Sequence, residues 1–300
     1  SNKTIYVYYG NPDATPMSNI KSTFDNKGDD FDDNSLDTNI WSTSIPVGTI
    51  TETNGKLNIN VPTTDNADWW GSGLPKNAPV ASMMLPSGDF EARVKVEIYD
   101  VILNSHPGVA LWLDRDNVYF WGRLYSGTRN GLYVEKVVGN VGTGNVCTSD
   151  ITTLPIYLGI RKVGTSYSFI YSTDGNTWNS LCTISSLGFT PDKFGLHGKK
   201  WTTSAALEIN FDNAYIRKYA SPEPTISVGT EETPPPQQQT VFYIQPQTGN
   251  VGIGTTAPAY KLDVEGYVQA YGYYTGEIIE DNIFPEDSNE EFEKGMLLSL

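Results

Sequence analysis

Hydrolysis of a glycosidic bond takes two carboxylates about 5–9.5 Å apart across a sugar ring, which directs attention first to acids carried on extended segments. Glu91 and Glu97 share one face of the run Phe90–Ile98. At ~3.3 Å per residue they stand roughly 20 Å apart, too far to act on one bond. His106 and His197 are the only histidines. They sit in turn-like contexts, Asn104-Ser105-His106-Pro107 and Gly195-Leu196-His197-Gly198, with no nucleophile elbow or repeated metal-ligand spacing. No catalytic residue is assigned on these grounds, and the chain is expected not to be an enzyme.

Sugar binding has better material. It needs flat aromatic faces for the apolar side of a sugar and amides or carboxylates for its hydroxyls. Trp69-Trp70 lies in the polar, glycine-rich stretch Asn66-Ala67-Asp68-Trp69-Trp70-Gly71-Ser72-Gly73, where burying both rings is hard to arrange. At least one should be exposed or cap a groove. Asp68, Trp69, Trp70, Trp112 and Trp201 therefore form the candidate ligand set, although strand tryptophans such as Trp112 are usually core residues. A second concentration of chemistry is acidic: Asp25, Asp29, Asp30, Asp32, Asp33 and Asp37 crowd thirteen residues. Such charge needs solvent or a hard cation such as Ca2+, and its spacing is not that of an EF-hand loop.

The elements that must position these groups are strands. Aromatics are 12% of the chain, with 18 Tyr and 7 Trp, and Gly, Thr, Asn and Ser abound, a composition of strands and turns. In Phe90–Ile98 the residues Phe90, Ala92, Val94, Val96 and Ile98 alternate with Glu91, Arg93, Lys95 and Glu97. This period of two puts one face on a core and the other in water. Further short runs separated by turns, among them Gly108–Leu113, Asn117–Gly122, Leu132–Val138 and Leu207–Arg217, predict an all-β, antiparallel β-sandwich or jelly roll over residues 24–219. Residues 1–23 form an N-terminal strand segment, 220–240 a Pro- and Gln-rich linker and 241–300 a β-rich C-terminal region. Cys147 and Cys182 form one disulfide if the protein is exported, or are two buried thiols.

With 20 Lys and Arg against 35 Asp and Glu, the net charge of −15 argues against nucleic acid or an anionic membrane surface as partner. No run approaches the ~20 apolar residues of a membrane span. Ser1 does not open a basic-then-apolar leader, as expected of a mature or trimmed product.

Three stretches resemble known families. Thr4–Asn19 (TIYVYYGNPDATPMSN) resembles the closing strand of an uncharacterised domain of archaeal and bacterial surface proteins. Its strand, with Tyr6 and Tyr8, needs a sheet to complete, its own or a neighbour's. FDDNSLDTNIW (Phe31–Trp41), GDFEARVKV (Gly88–Val96), GVALWLDRDN (Gly108–Asn117), YSTDGNTW (Tyr171–Trp178) and INFDNAYIRK (Ile209–Lys218) together resemble the concanavalin A-like, laminin-G-like jelly rolls. Hydrolases of that class carry Glu-x-Asp-x-Glu on one strand, which is missing here. Their first and last strands are often tied by an ion, which implies Ca2+ at Asp30 or Asp32 with Asp212, against a solvated acidic loop. GNVGIGTTAPAYKLDVEGYVQA (Gly249–Ala270) resembles the shaft repeat of phage tail fibres, where three chains wind together. That implies self-association, as a homotrimer or a head-to-tail filament, through Val251, Ile253, Leu262 and Val264. The expected function is an extracellular, cell-surface or virion-fibre adhesin binding glycans. The alternatives are a purely structural filament subunit and, third, a carbohydrate-active enzyme.

Overall fold

A computed structural model describes residue 13 and residues 19–98, 102–153, 156–224, 229 and 242–265. It divides into two compact units, Ser1–Thr225 and Ile226–Leu300. The first unit is nearly all strand: β1 (Gly28–Asp29), β2 (Ser42–Ser44), β3 (Thr49–Thr53), β4 (Lys56–Val61), β5 (Val80–Met84), β6 (Phe90–Ile98), β7 (Gly108–Asp114), β8 (Asn117–Ser126), β9 (Arg129–Val138), β10 (Val141–Ser149), β11 (Ile156–Val163), β12 (Ser166–Ser172), β13 (Asn179–Ile184), β14 (Lys193–His197) and β15 (Leu207–Lys218). One sheet runs β13-β12-β11-β6-β15-β4-β3, with β1 also pairing β15, and the other β10-β9-β8-β7-β14-β5-β2. All their pairings are antiparallel. The fold is thus the expected β-sandwich.

The core follows from alternation. Phe90, Ala92, Val94 and Val96 of β6 are at most 2% exposed and join one cluster with Val109, Leu111, Tyr119, Trp121, Leu132, Val134, Phe194 and Leu196 of the opposite sheet. Each large side chain so buried contributes about 1.5–3 kcal/mol. Cys147 of β10 and Cys182 of β13 form a disulfide between the outermost strands of the two sheets. By chain entropy alone, closing 35 residues stabilises by about 3–4 kcal/mol.

One expectation needs correction. Glu91 was expected in water, yet it is fully buried on the outer face of its sheet. Register places Arg161 and Arg217 opposite it on both neighbouring strands. Arg161 Nε lies 2.6 Å from Oε2, Arg217 Nη2 lies 2.7 Å from Oε1, and Arg93 adds a third ion pair. Burial pushes the carboxyl up, but the arginines outweigh it and hold Glu91 below its ordinary value.

The loop after β4 crosses the outer face of the second sheet and adds a layer there. Ala67, Trp69 and Ala78 pack on Ala110, Trp112, Val118, Phe120 and Val137, the residues that alternate with those facing the main core.

The second unit contains β16 (Phe242–Ile244), β17 (Val251–Ile253) and β18 (Leu262–Val264). β17 is central, antiparallel to β16 and parallel to β18. The three strands pair with one another within the chain. Val251, Ile253 and Val264 are part-buried, whereas Leu262 remains 59% exposed, and Phe242, Ile244 and Tyr260 are exposed as well. Tyr6 and Tyr8 lie outside the described residues.

Candidate functional site

On the outer face of the second sheet, beside the layer built by Trp69, a cavity of about 250 Å³ is lined by Asp68, Trp70, Leu74, Arg129, Glu135, Lys199 and Trp201. Strand β9 supplies Arg129 and Glu135 at positions that share the face opposite to Leu132 and Val134. The chain after β14 supplies Lys199 and Trp201, and the β4–β5 loop supplies Asp68, Trp70 and Leu74. Strand β10 closes one side with glycines. A Cβ on Gly142 would lie 2.5 Å from the Trp70 ring, and one on Gly144 would lie 3.2 Å from Glu135 Oε1 and 3.4 Å from Arg129 Nη1. Bare backbone lets the indole rest directly on Gly142 and leaves the ion pair uncrowded beside Gly144.

The charges are tightly organised. Glu135 accepts from Arg129 Nη1 at 2.9 Å on Oε1 and from Lys199 Nζ at 3.3 Å on Oε2, with His106 Nδ1 3.0 Å from Oε2. Burial resists its ionisation, but the hydrogen bond and charge of His106, then Lys199 and Arg129, outweigh it and bring the carboxyl down to about 2. The ammonium of Lys199 is 2% exposed and lies 4.5 Å from the Trp70 ring centre, 4.6 Å from Phe120 and 4.9 Å from Trp201. Burial pushes Lys199 down against the pull of Glu135 and Asp68, and pushes His106 down against the pull of Glu135. Asp68 Oδ1 accepts from Trp69 N at 2.7 Å. Burial raises the Asp68 pKa, opposed by Lys199.

Asp68, Trp70 and Trp201 thus meet in one cavity. Trp69 and Trp112 are not part of it and are corrected to core residues. Trp69 is fully buried, with its Nε1 donating to Arg115 O at 3.0 Å and its ring 5.1 Å from Trp112 and 5.3 Å from Phe120, edge to face. Trp112 is 8% exposed. Adjacent tryptophans in an extended loop point opposite ways, one to the sheet and one to the cavity.

Of the expected calcium ligands, Asp30 is half-buried and Asp32 is exposed, while Asp212 faces Lys95 at 3.4 Å and accepts from Asn213. First and last strands do pair, Asp29 opposite Ala214, but Asp29 accepts from Trp41 Nε1 at 2.9 Å and Phe31 N at 3.1 Å. Lys21 lies 3.3 Å from both Asp33 and Asp37, so the acidic loop is met by a cation of the protein itself. Among the described residues no group of three or more His, Cys, Asp or Glu side chains could hold a metal ion.

Sequence reading missed Arg129, Glu135 and Lys199, and set His106 aside as a turn residue. The available signal was Gly142-Thr143-Gly144 in β10, where alternate glycines leave one face of a strand without side chains.

Residues 1–44 match the family model described as a domain of unknown function (DUF2341). No curated protein matches the chain. Among solved structures, a point mutant of the GH43 protein BlXynB from Bacillus licheniformis superposes with a TM-score of 0.55 at 16% identity over 69% of this chain and 41% of its own. The GH43B protein of the Bacteroides ovatus xyloglucan PUL gives 0.51 at 18%, over 71% of this chain and 42% of its own. A functionally unknown protein from Saccharomyces cerevisiae gives 0.51 at 13%, over 62% of this chain and 100% of its own. At these identities the likeness concerns the fold. It supports an all-β sandwich and does not single out the concanavalin A-like jelly roll. This chain spans about two fifths of the GH43 chains it matches. The expectation that it is not an enzyme is corrected by the same finding, since its fold occurs in glycoside hydrolase chains.

Proposed function

We propose that the first unit is the β-sandwich of a carbohydrate-active protein and holds a saccharide in the cavity between Trp70 and Trp201. The observation that carries this reading is the joining of two indoles from distant segments with buried charged groups around one cavity. Aromatic faces with a few fixed polar groups are what a sugar ring requires. The GH43 chains among its fold relatives support it, and the interstrand disulfide supports an oxidising, extracytoplasmic setting. Trp70→Ala and Trp201→Ala are expected to abolish retardation in polysaccharide affinity gels while the melting temperature holds. Unchanged retardation in both variants would overturn the assignment.

Hydrolysis is a second reading, favoured by one feature. Asp68 and Glu135 line the same cavity with pKa values displaced in opposite directions, as a proton donor and an ionised carboxylate would be. Asp68→Asn should then stop release of reducing sugar without stopping binding. Wild-type protein that releases none from any saccharide it retains would retire hydrolysis and leave binding. On a surface or tail fibre the same cavity would serve attachment, which the resemblance of Gly249–Ala270 to shaft repeats supports.

A further inference from the structure

We propose that the saccharide taken by this cavity carries a carboxylate, as a uronic acid does, and that the Arg129 guanidinium receives it. The inference rests on the reading of the cavity as a saccharide site. Glu135 is 3% exposed, and both its oxygens are already engaged by Arg129, His106 and Lys199. It anchors cations and has little capacity left for a ligand hydroxyl. Arg129 reaches Glu135 and Asn145 through the same nitrogen, Nη1. The rest of its fork makes no hydrogen bond among the described residues, and 32% of the side chain is exposed.

A guanidinium with free, coplanar donors matches a carboxylate bidentately, which a neutral hydroxyl cannot reproduce. Lys199 adds a second cation behind it. The one other carboxylate lining the cavity, Asp68, makes no ion pair among the described residues, and its burial favours the neutral form. Of the two cations, Lys199 is held by Glu135 within the buried cluster, whereas Arg129, which lines the cavity, keeps donors that a ligand carboxylate would engage. The chain's net charge of −15 opposes an anionic ligand at long range, but at 0.15 M salt that field is screened beyond ~8 Å. The unused donors of Arg129 act within hydrogen-bond range, inside that distance.

Isothermal titration of the full chain with a glucuronic acid-bearing oligosaccharide and with its carboxyl-reduced, neutral counterpart tests this directly. The acid should bind about tenfold more tightly or better, and Arg129→Gln should abolish the difference. Equal affinity of the wild-type chain for both ligands would overturn the carboxylate preference and leave the saccharide site standing. Binding of neither would overturn both. A preference that survives in Arg129→Gln would overturn the role of Arg129, and the wild-type comparison decides the ligand class even if that variant does not fold.

Discussion

Trp69 and Trp70 are adjacent and chemically identical, yet they do different work. Trp69 sits under Arg115, whose guanidinium lies 4.2 Å from its ring, and fills the layer over β7 and β8. Trp70 rests on Gly142 and faces the cavity. Trp69→Ala should therefore cost about 3–5 kcal/mol of stability, measured by chemical denaturation, whereas Trp70→Ala should cost far less and remove binding. Similar losses of stability in both would contradict this division. Nothing in the local sequence tells the two apart, because which indole turns inward depends on the sheet the loop crosses. A second residue-scale expectation concerns Glu52. Burial, the hydrogen bond with Asp33 and the charges of Asp29 and Asp33 push its pKa from 4.5 up to about 7. Between those values the folded chain holds a proton that the unfolded chain has released, so this group makes stability fall as pH rises through that window. Glu52→Gln should raise the melting temperature at pH 8 and change little at pH 4.5. Identical melting at pH 8 would count against the raised pKa.

At the scale of elements, β6 was the most legible part of the chain. Its alternation gives the inward residues Phe90, Ala92, Val94 and Val96. Replacing Val94 with Asp should cost several kcal/mol by burying an unpaired charge, while Lys95→Asp should cost little. The outer face was less legible, because pairing partners on β11 and β15 are not visible from β6 alone. They turn Glu91 from a solvated acid into a buried one, so Glu91→Gln should cost about 3–5 kcal/mol by stranding its arginines, and a near-neutral effect in urea titration would contradict that. The candidate site was largely hidden for the same reason. Asp68, Glu135 and Lys199 are brought together by strand pairing across more than a hundred residues of chain, and Arg129 and Glu135 look like any half-polar strand until β10 is seen to present glycines beside them.

For the whole molecule, the sandwich and the C-terminal three-stranded sheet raise separate questions. Phe242, Ile244, Tyr260 and Leu262 stay exposed on the small sheet, an apolar set that self-association would cover. Light scattering is expected to give a multiple of the 33.1 kDa chain mass, and a monomer at high concentration would remove the oligomer from the account. The central claim concerns the cavity of the sandwich, and the indole N–H resonances of the seven tryptophans offer a direct map of it. Titrating the 15N-labelled protein with an oligosaccharide that it retains should shift the Trp70 and Trp201 signals and leave those of the buried Trp69 and Trp121 in place. Shifts confined to other tryptophans, with Trp70 and Trp201 unmoved, would place the saccharide elsewhere and contradict the account.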